Sequence, residues 1–293
     1  MSVVRAAARR AAALGFLVPL ASAMSSGASA LAHAGTGYTL ISTELLAQLM
    51  QVGQCPCSTE PLPPLKNCYF GLRHGQSEAN VEGIISSDPA VGTIKHGLTL
   101  DGRLQARRAA TRLIDMVGRE RLDRLFFYSS DFTRAWQTAE EALSAVKNVI
   151  EYESSLFYPD RVELARVPDS LAGVARTPLL RERWFGSLDG KALRNYQHVW
   201  PRDLVSAEHC HFDVESVSAV AQRIRTLILE IEAERTGCSI VLTSHADTLQ
   251  IAQVFIAGED PRSFSQYRFA NGEVRALRQD PASLPRPVPL TYQ

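Results

Sequence analysis

The sequence predicts a three-layer α/β/α domain built on a mostly parallel central sheet. Three observations lead there. The runs Tyr69-Phe70-Gly71-Leu72, Leu125-Phe126-Phe127-Tyr128 and Ile240-Val241-Leu242 are continuously apolar, as strands buried on both faces should be. Helical patterns lie between them, so strand and helix alternate from Asn67 onward. Each run ends at once in a polar segment, the place where open parallel sheets bind their ligands.

The elements follow in order. Tyr69–Leu72 reads as the first strand. Thr99 caps a helix with Leu100, Leu104, Leu113 and Val117 on one face and Gly118 as its stop. Leu125–Tyr128 is the second strand, and a helix runs from about Thr133 to Val146. Val149–Tyr152 reads as a third strand, and 154–178 as an irregular insertion. Helical order returns at Ser216. Val217, Val220, Ile224, Leu227, Ile228 and Ile231 form one apolar stripe that ends at Gly237. After Ile240–Leu242 comes a helix from about Asp247 to Ala257, with Gly258 behind it, and Val274–Leu277 reads as an edge strand.

The rest of the chain frames this domain, which spans 67–280. Residues 1–30 read as a targeting segment. Arg5, Arg9 and Arg10 precede an Ala/Leu/Val-rich stretch from Ala11 to Ala23, and Ala21-Ser22-Ala23 and Ala28-Ser29-Ala30 offer cleavage sites. The layout fits a secretory signal or an organellar transit peptide, with a cytoplasmic tail as the alternative. Residues 31–66 read as a partly disordered linker with a short helix near Thr43–Gln51, and 281–293 as a proline-rich tail. Lys+Arg and Asp+Glu both total 31 in 293 residues, a balance that argues against a nucleic-acid partner. Any anion site must come from local clustering of arginines. No apolar run is long enough for stable membrane insertion. Cys55, Cys57, Cys68, Cys210 and Cys238 fit no zinc spacing and read as free thiols, with a disulfide from Cys55 or Cys57 to another part of the chain as the alternative. Nothing in the sequence sets the oligomeric state.

The polar segments carry the chemistry. After the first strand comes Arg73-His74-Gly75-Gln76-Ser77-Glu78-Ala79-Asn80. After the second comes Ser129-Ser130-Asp131-Phe132-Thr133-Arg134, and after Leu242 comes Thr243-Ser244-His245-Ala246-Asp247. Two histidines and two arginines therefore converge on one sheet edge. That set suits phosphoryl transfer. Guanidinium groups match phosphate with a planar fork, and a neutral imidazole with a reference pKa of ~6.5 is a competent nucleophile. Gly75 allows close backbone approach, and Arg134 stands in a helix first turn that favours an anion.

These blocks, with Leu98-Thr99, Gly102, Gln137-Thr138-Ala139, Leu180-Arg181-Glu182-Arg183-Trp184-Phe185-Gly186 and Glu215-Ser216, resemble the histidine phosphatase superfamily, also called phosphoglycerate mutase-like. The resemblance covers about Cys68 to Leu277. It implies a phosphoglycerate mutase-like fold with His74 as phosphate acceptor and Arg73, Arg134 and His245 around the phosphate. Glu182 is then the proton donor to the leaving oxygen and later activates water, and Asn80 contacts the phosphate. It implies a small phosphorylated substrate, no metal and no cofactor. Read on its own, Glu182 among Arg181, Arg183 and Asp189 has a structural ion pair as its alternative, and Asn80 a turn cap. His33, His96, His198, His209 and His211 read as surface residues.

Ala246 stands where the family usually has glycine. Asp131 stands where proline is common, an acid near the mouth that disfavours very anionic substrates. Only about two dozen residues separate Gly190 from Glu215, too few for the long lid of the mutases. A metal-independent phosphatase of the histidine acid type is therefore expected. A cofactor-dependent phosphoglycerate-type mutase and a non-catalytic phospho-ligand-binding protein are the alternatives. Arg161, Arg166, Arg176, Arg181, Arg183 and Lys191 are expected at the rim, as a basic collar or a solubilising surface. Phe157, Trp184 and Phe185 are expected against substrate or in the core.

Overall fold

The computed structural model describes residues 59–157 and 167–290. The targeting segment at 1–30, the helix near Thr43–Gln51, Cys55, Cys57, Arg161 and Arg166 lie outside the described residues, as does the Phe157 side chain.

Among the described residues the strands are β1 (Cys68–Arg73), β2 (Leu125–Ser130), β3 (Val174–Thr177), β4 (Ser239–Ser244) and β5 (Val274–Leu277). They form one sheet in the order β3-β2-β4-β1-β5, parallel except for β5, which runs antiparallel to β1 at the edge. The helices are α1 (Glu78–Glu82), α2 (Pro89–Gly92), α3 (Leu100–Val117), α4 (Thr133–Phe157), α5 (Trp200–Asp203), α6 (Val217–Glu234) and α7 (Ala246–Ile256).

Strand alternation divides the core. Ile240 and Leu242 of β4 join Tyr69, the α6 stripe and the apolar residues of α7 on one face. Val241 joins Phe70, Leu72, Phe127 and the inner faces of α3 and α4 on the other. Three layers result, as predicted. The Thr99 cap holds, with its side chain accepting from Gly102 N, and Gly118 ends α3 at a positive φ of 86°.

Three expectations need correction. Val149–Tyr152 is not a strand but the continuation of α4. Ala142, Leu143, Val146, Val149 and Ile150 all pack into the same cluster, a helical spacing that the short apolar run disguises. The region 154–178 is not irregular throughout, because Val174–Thr177 pairs with β2. As an edge strand with two exposed positions it needed no apolar run to form. Leu100 and Leu104 are exposed at 82% and 48%, and small Ala109 and Ala110 pack with Phe70, Leu72 and Val241 of the sheet in their place.

The flanks partly join the fold. Leu62, Leu65, Leu284 and Leu290 pack against the α6–α7 side of the core, and Lys66 N donates to Glu232 Oε2 at 2.7 Å. Among the described residues no helix is long and apolar enough to cross a membrane. Cys68, Cys210 and Cys238 are free thiols.

Candidate active site

The register of β1 against β4 builds the centre. Arg73 pairs with Ser244, so His74 and His245 leave the sheet side by side. His74 N donates to Ser244 O at 2.9 Å, and the two ring centroids are 5.2 Å apart. Phe132, at the end of β2, meets the His245 ring edge-on at 5.2 Å.

Hydrogen bonding fixes the His74 tautomer. Nδ1 lies 2.7 Å from Gly75 O, which can only accept, so Nδ1 carries the hydrogen. Nε2 receives Arg134 Nε at 3.3 Å, so Nε2 carries the lone pair. Burial, then the charges of Arg134 and Arg73, hold the imidazole well below its usual pKa. His74 is thus neutral at neutral pH. His245 is depressed likewise, by burial first and Arg134 next. Its Nε2 lies 3.0 Å from Ser130 Oγ, and its buried Nδ1 has no partner.

The two guanidinium groups flank His74. Arg134 is buried and braced by Ser86, with Nη2 donating to Ser86 O at 2.8 Å. Burial lowers it to about 10, still a cation at neutral pH. Arg73 is half-buried, donates Nη1 to Phe269 O at 2.5 Å and leaves a buried Nε without a partner. Among the described residues neither arginine forms an ion pair with a carboxylate. A cavity of about 320 Å³ opens over them, lined also by Asn80, Glu182, Tyr196, Trp200, Asp247 and Arg268.

Glu182 is not the ion-pair residue that its neighbours allowed. Each of those charges is committed elsewhere. Arg181 forks onto Asp131 at 2.8 and 2.6 Å, Arg183 onto Asp203 at 2.7 and 2.8 Å, and Asp189 accepts from Ser87 and Asp88. Glu182 keeps only neutral donors, Arg183 N at 3.0 Å and the Thr248 amide and hydroxyl at 3.4 Å. The same pairing places a cation against Asp131, the acid expected near the mouth. Asn80 caps α1, its Oδ1 accepting from Ser77 and Asn271, so only its amide NH₂ is left for the cavity it lines.

Other expectations change. Arg183 is fully buried and forms no part of a rim. Arg176 lies over Trp136 at 4.3 Å, while Lys191 is exposed. His209 is not a surface residue, because its side chain is 6% exposed and bonds Asp203 at 2.7 Å. Phe185 is core, and Trp184 lines a neighbouring cavity of about 380 Å³ that Glu182 shares. Sequence reasoning missed Ser86, Tyr196, Trp200, Arg268 and any role for Asp247. Only Asp247, a charge two residues after His245, carried a local signal.

Gly75 serves packing more than ligand approach. A Cβ on it would lie 2.2 Å from Gly102 O, and one on Gly102 would lie 2.1 Å from Gln76 O. The loop carrying His74 thus rests directly on the first turn of α3. Gly102→Ala is expected to cost about 1–3 kcal/mol in denaturant unfolding, the scale of an overpacked contact. An unchanged midpoint would show that the loop has room to yield.

Fold and site together define a doubly covered α/β protein with two guanidinium groups and two neutral imidazoles gathered at the ends of its central strands. The chain belongs to the histidine phosphatase superfamily, whose branch 1 matches residues 70–156 and 165–284. At the level of sequence no curated protein matches it. Solved structures share its fold. A mycobacterial glucosyl-3-phosphoglycerate phosphatase is 19% identical, with a TM-score of 0.53 over 74% of this chain and 94% of that one. A phosphoserine phosphatase from Entamoeba histolytica is 19% identical, with a TM-score of 0.52 over 72% and 89%. An α-ribazole phosphatase from Shigella flexneri is 23% identical, with a TM-score of 0.50 over 76% and 99%.

Proposed function

We propose that this protein hydrolyses a small phosphomonoester through a phosphohistidine at His74, without a metal ion. The observation that carries this reading is the cation pair Arg73 and Arg134, unpaired with any described carboxylate, on either side of an imidazole whose Nε2 bears a lone pair. Guanidinium groups held in a cavity without a counter-ion await an anion, and a tetrahedral phosphoryl group satisfies them. His245, neutral and beside His74, donates to a phosphoryl oxygen. Glu182, free of ion pairs, protonates the leaving oxygen and then takes the proton of the attacking water.

Hydrolysis is preferred to isomerisation because water has a route. The segment between Gly190 and Glu215 folds into short turns, of which Leu193–His198 and Trp200–Asp203 line the cavity through Leu193, Tyr196 and Trp200, and it supplies no long lid. Glu182 also faces the neighbouring cavity, from which water can reach it.

The test is an assay with chelator present. Phosphate release from p-nitrophenyl phosphate is expected in EDTA, with no net isomerisation of phosphoglycerate. Glu182→Gln is expected to lower kcat by roughly 10²–10⁴-fold for alkyl phosphates, with little change in KM. Activity that vanishes in EDTA, or isomerisation without phosphate release, overturns the reading. Tight phosphate binding with no turnover identifies a binding protein instead.

A further inference from the structure

The cavity holds a second carboxyl group that the mechanism above leaves idle. Asp247 stands in the first turn of α7, 1% exposed, and lines the same cavity as Glu182. The two groups are neighbours by construction, since Glu182 Oε1 takes both donors of Thr248, the residue after Asp247. Asp247 Oδ2 accepts from Trp200 Nε1 at 3.1 Å and lies 3.6 Å from Arg183 Nη1. Oδ1 has only a long contact of 3.4 Å from Gln250 Nε2, so it has room for a proton.

Charge counting shows why a proton belongs there. The groups facing Asp247 are Glu182 and Arg183 beside it, Tyr196 and Asp203 from the wall segment, Arg73 from β1, and Arg268 across the cavity. With Arg134 included, the groups named are four guanidiniums and three carboxylates, and Asp189 acts on Arg134 from outside this set. Arg183 is already spent on Asp203. A phosphate dianion between Arg73 and Arg134 adds two negative charges and reverses the balance. An uncompensated carboxylate in that setting is costly, and a proton removes the excess. Burial and then the Glu182 charge push the Asp247 carboxyl up to about 7.

We propose that Glu182 and Asp247 act as one acid, sharing a single proton while phosphate is bound, with Asp247 holding it beside Glu182 for delivery to the leaving oxygen. This rests on the phosphatase reading. In the first step the His74 Nε2 lone pair forms the P–N bond as the P–O bond breaks. The leaving oxygen keeps that electron pair and takes the proton from the carboxyl pair. In the second step a water oxygen bonds to phosphorus, its proton returns to the carboxyl pair, and the P–N electron pair returns to Nε2. Asp247 is therefore a positioning residue for the proton.

The test compares kcat/KM against pH for the native protein and Asp247→Asn, using glycerol phosphate and p-nitrophenyl phosphate. Asn retains an oxygen for Trp200. Without the second carboxyl, the proton is lost at lower pH, so the alkaline limb moves down. At about pH 7.5 glycerol phosphate hydrolysis is expected to fall about tenfold or more, and at about pH 5 by only a few-fold. p-Nitrophenyl phosphate, whose leaving group needs no proton, is expected to change less than about threefold. Equal losses at every pH for both substrates mark a packing role and overturn the proposal, as does an unchanged profile. Absence of hydrolysis by the native protein defeats the phosphatase reading instead. A second measurement needs neither turnover nor a variant. Infrared difference spectra on adding inorganic phosphate to the native protein at about pH 8.5, above the Asp247 value of about 7, should gain a protonated carboxylic acid band, and its absence overturns the shared proton.

Discussion

His74→Ala is expected to lose turnover on the order of 10⁴-fold or more, with the fold intact. Among the described residues lining the cavity, no other group combines a lone pair, neutrality and proximity to both arginines. The remaining cavity still binds phosphate, so inorganic phosphate should inhibit residual activity. In the native protein, brief exposure to labelled substrate followed by alkaline quench should trap one acid-labile, alkali-stable phosphoryl group per chain, and none in His74→Ala. The pH dependence has a definite sign. Burial and two cations depress the His74 pKa, so the nucleophile stays in its free-base form well below pH ~6.5. The acid limb of kcat/KM should therefore lie below that value. The same depression in His74 and His245 means that the unfolded chain takes up protons before the folded one does. Stability from these groups is full above pH ~6.5 and falls as pH drops toward their depressed values. An acid limb above 6.5, or labelled His74→Ala, would overturn the assignment.

What the sequence made legible depended on how local its cause was. The convergence of His74 and His245 was readable because two buried parallel strands, each ending in Arg-His or Ser-His, need only a common register to align them. The Thr99 and Gly118 boundaries of α3 were readable because caps act within one turn. Val149–Tyr152 misled because a β-branched run at a helix end looks like a strand when its burial partners are distant in sequence. β3 was hidden because an edge strand with half its residues in water has little apolar pattern. Glu182 was ambiguous for a different reason. Its freedom from ion pairs depends on Asp131 and Asp203, which lie roughly fifty and twenty residues away and reach its flanking arginines only in the folded chain. Ser86, Tyr196 and Trp200 line the site from loops and short turns with no motif of their own.

Arg183→Met should be the most destabilising single change near the site, at about 3–5 kcal/mol. The Arg183 and Asp203 side chains are both 0% exposed, and the guanidinium forks onto the carboxylate while its Nε donates to Glu215 O at 2.6 Å. Asp247, 3.6 Å away, draws on the same cation. Methionine fills similar volume but leaves the buried Asp203 carboxylate facing no described guanidinium and takes from Asp247 the cation 3.6 Å from it, with His209 the only remaining partner described for Asp203. The loss thus comes from stranded charge, not from the pair's net attraction. Two measurements separate these causes. Arg183→Met combined with Asp203→Leu should recover much of the lost stability in denaturant unfolding, because the stranded Asp203 charge is gone. The deficit should also shrink in acid. In the native protein burial raises the Asp203 pKa, and the charge and hydrogen bonds of Arg183 outweigh it, holding the carboxyl below its usual range. That contribution is present above pH ~3.9 and lost only as pH falls through the depressed value. In the variant the carboxyl protonates more readily, so lowering the pH relieves the stranded charge and narrows the gap. A deficit that stays constant from pH 8 to pH 4, or a double variant no better than the single, would place the cost in packing. The floor of Glu182 and Asp247 would then owe its position to shape, with Arg183 contributing no electrostatic support.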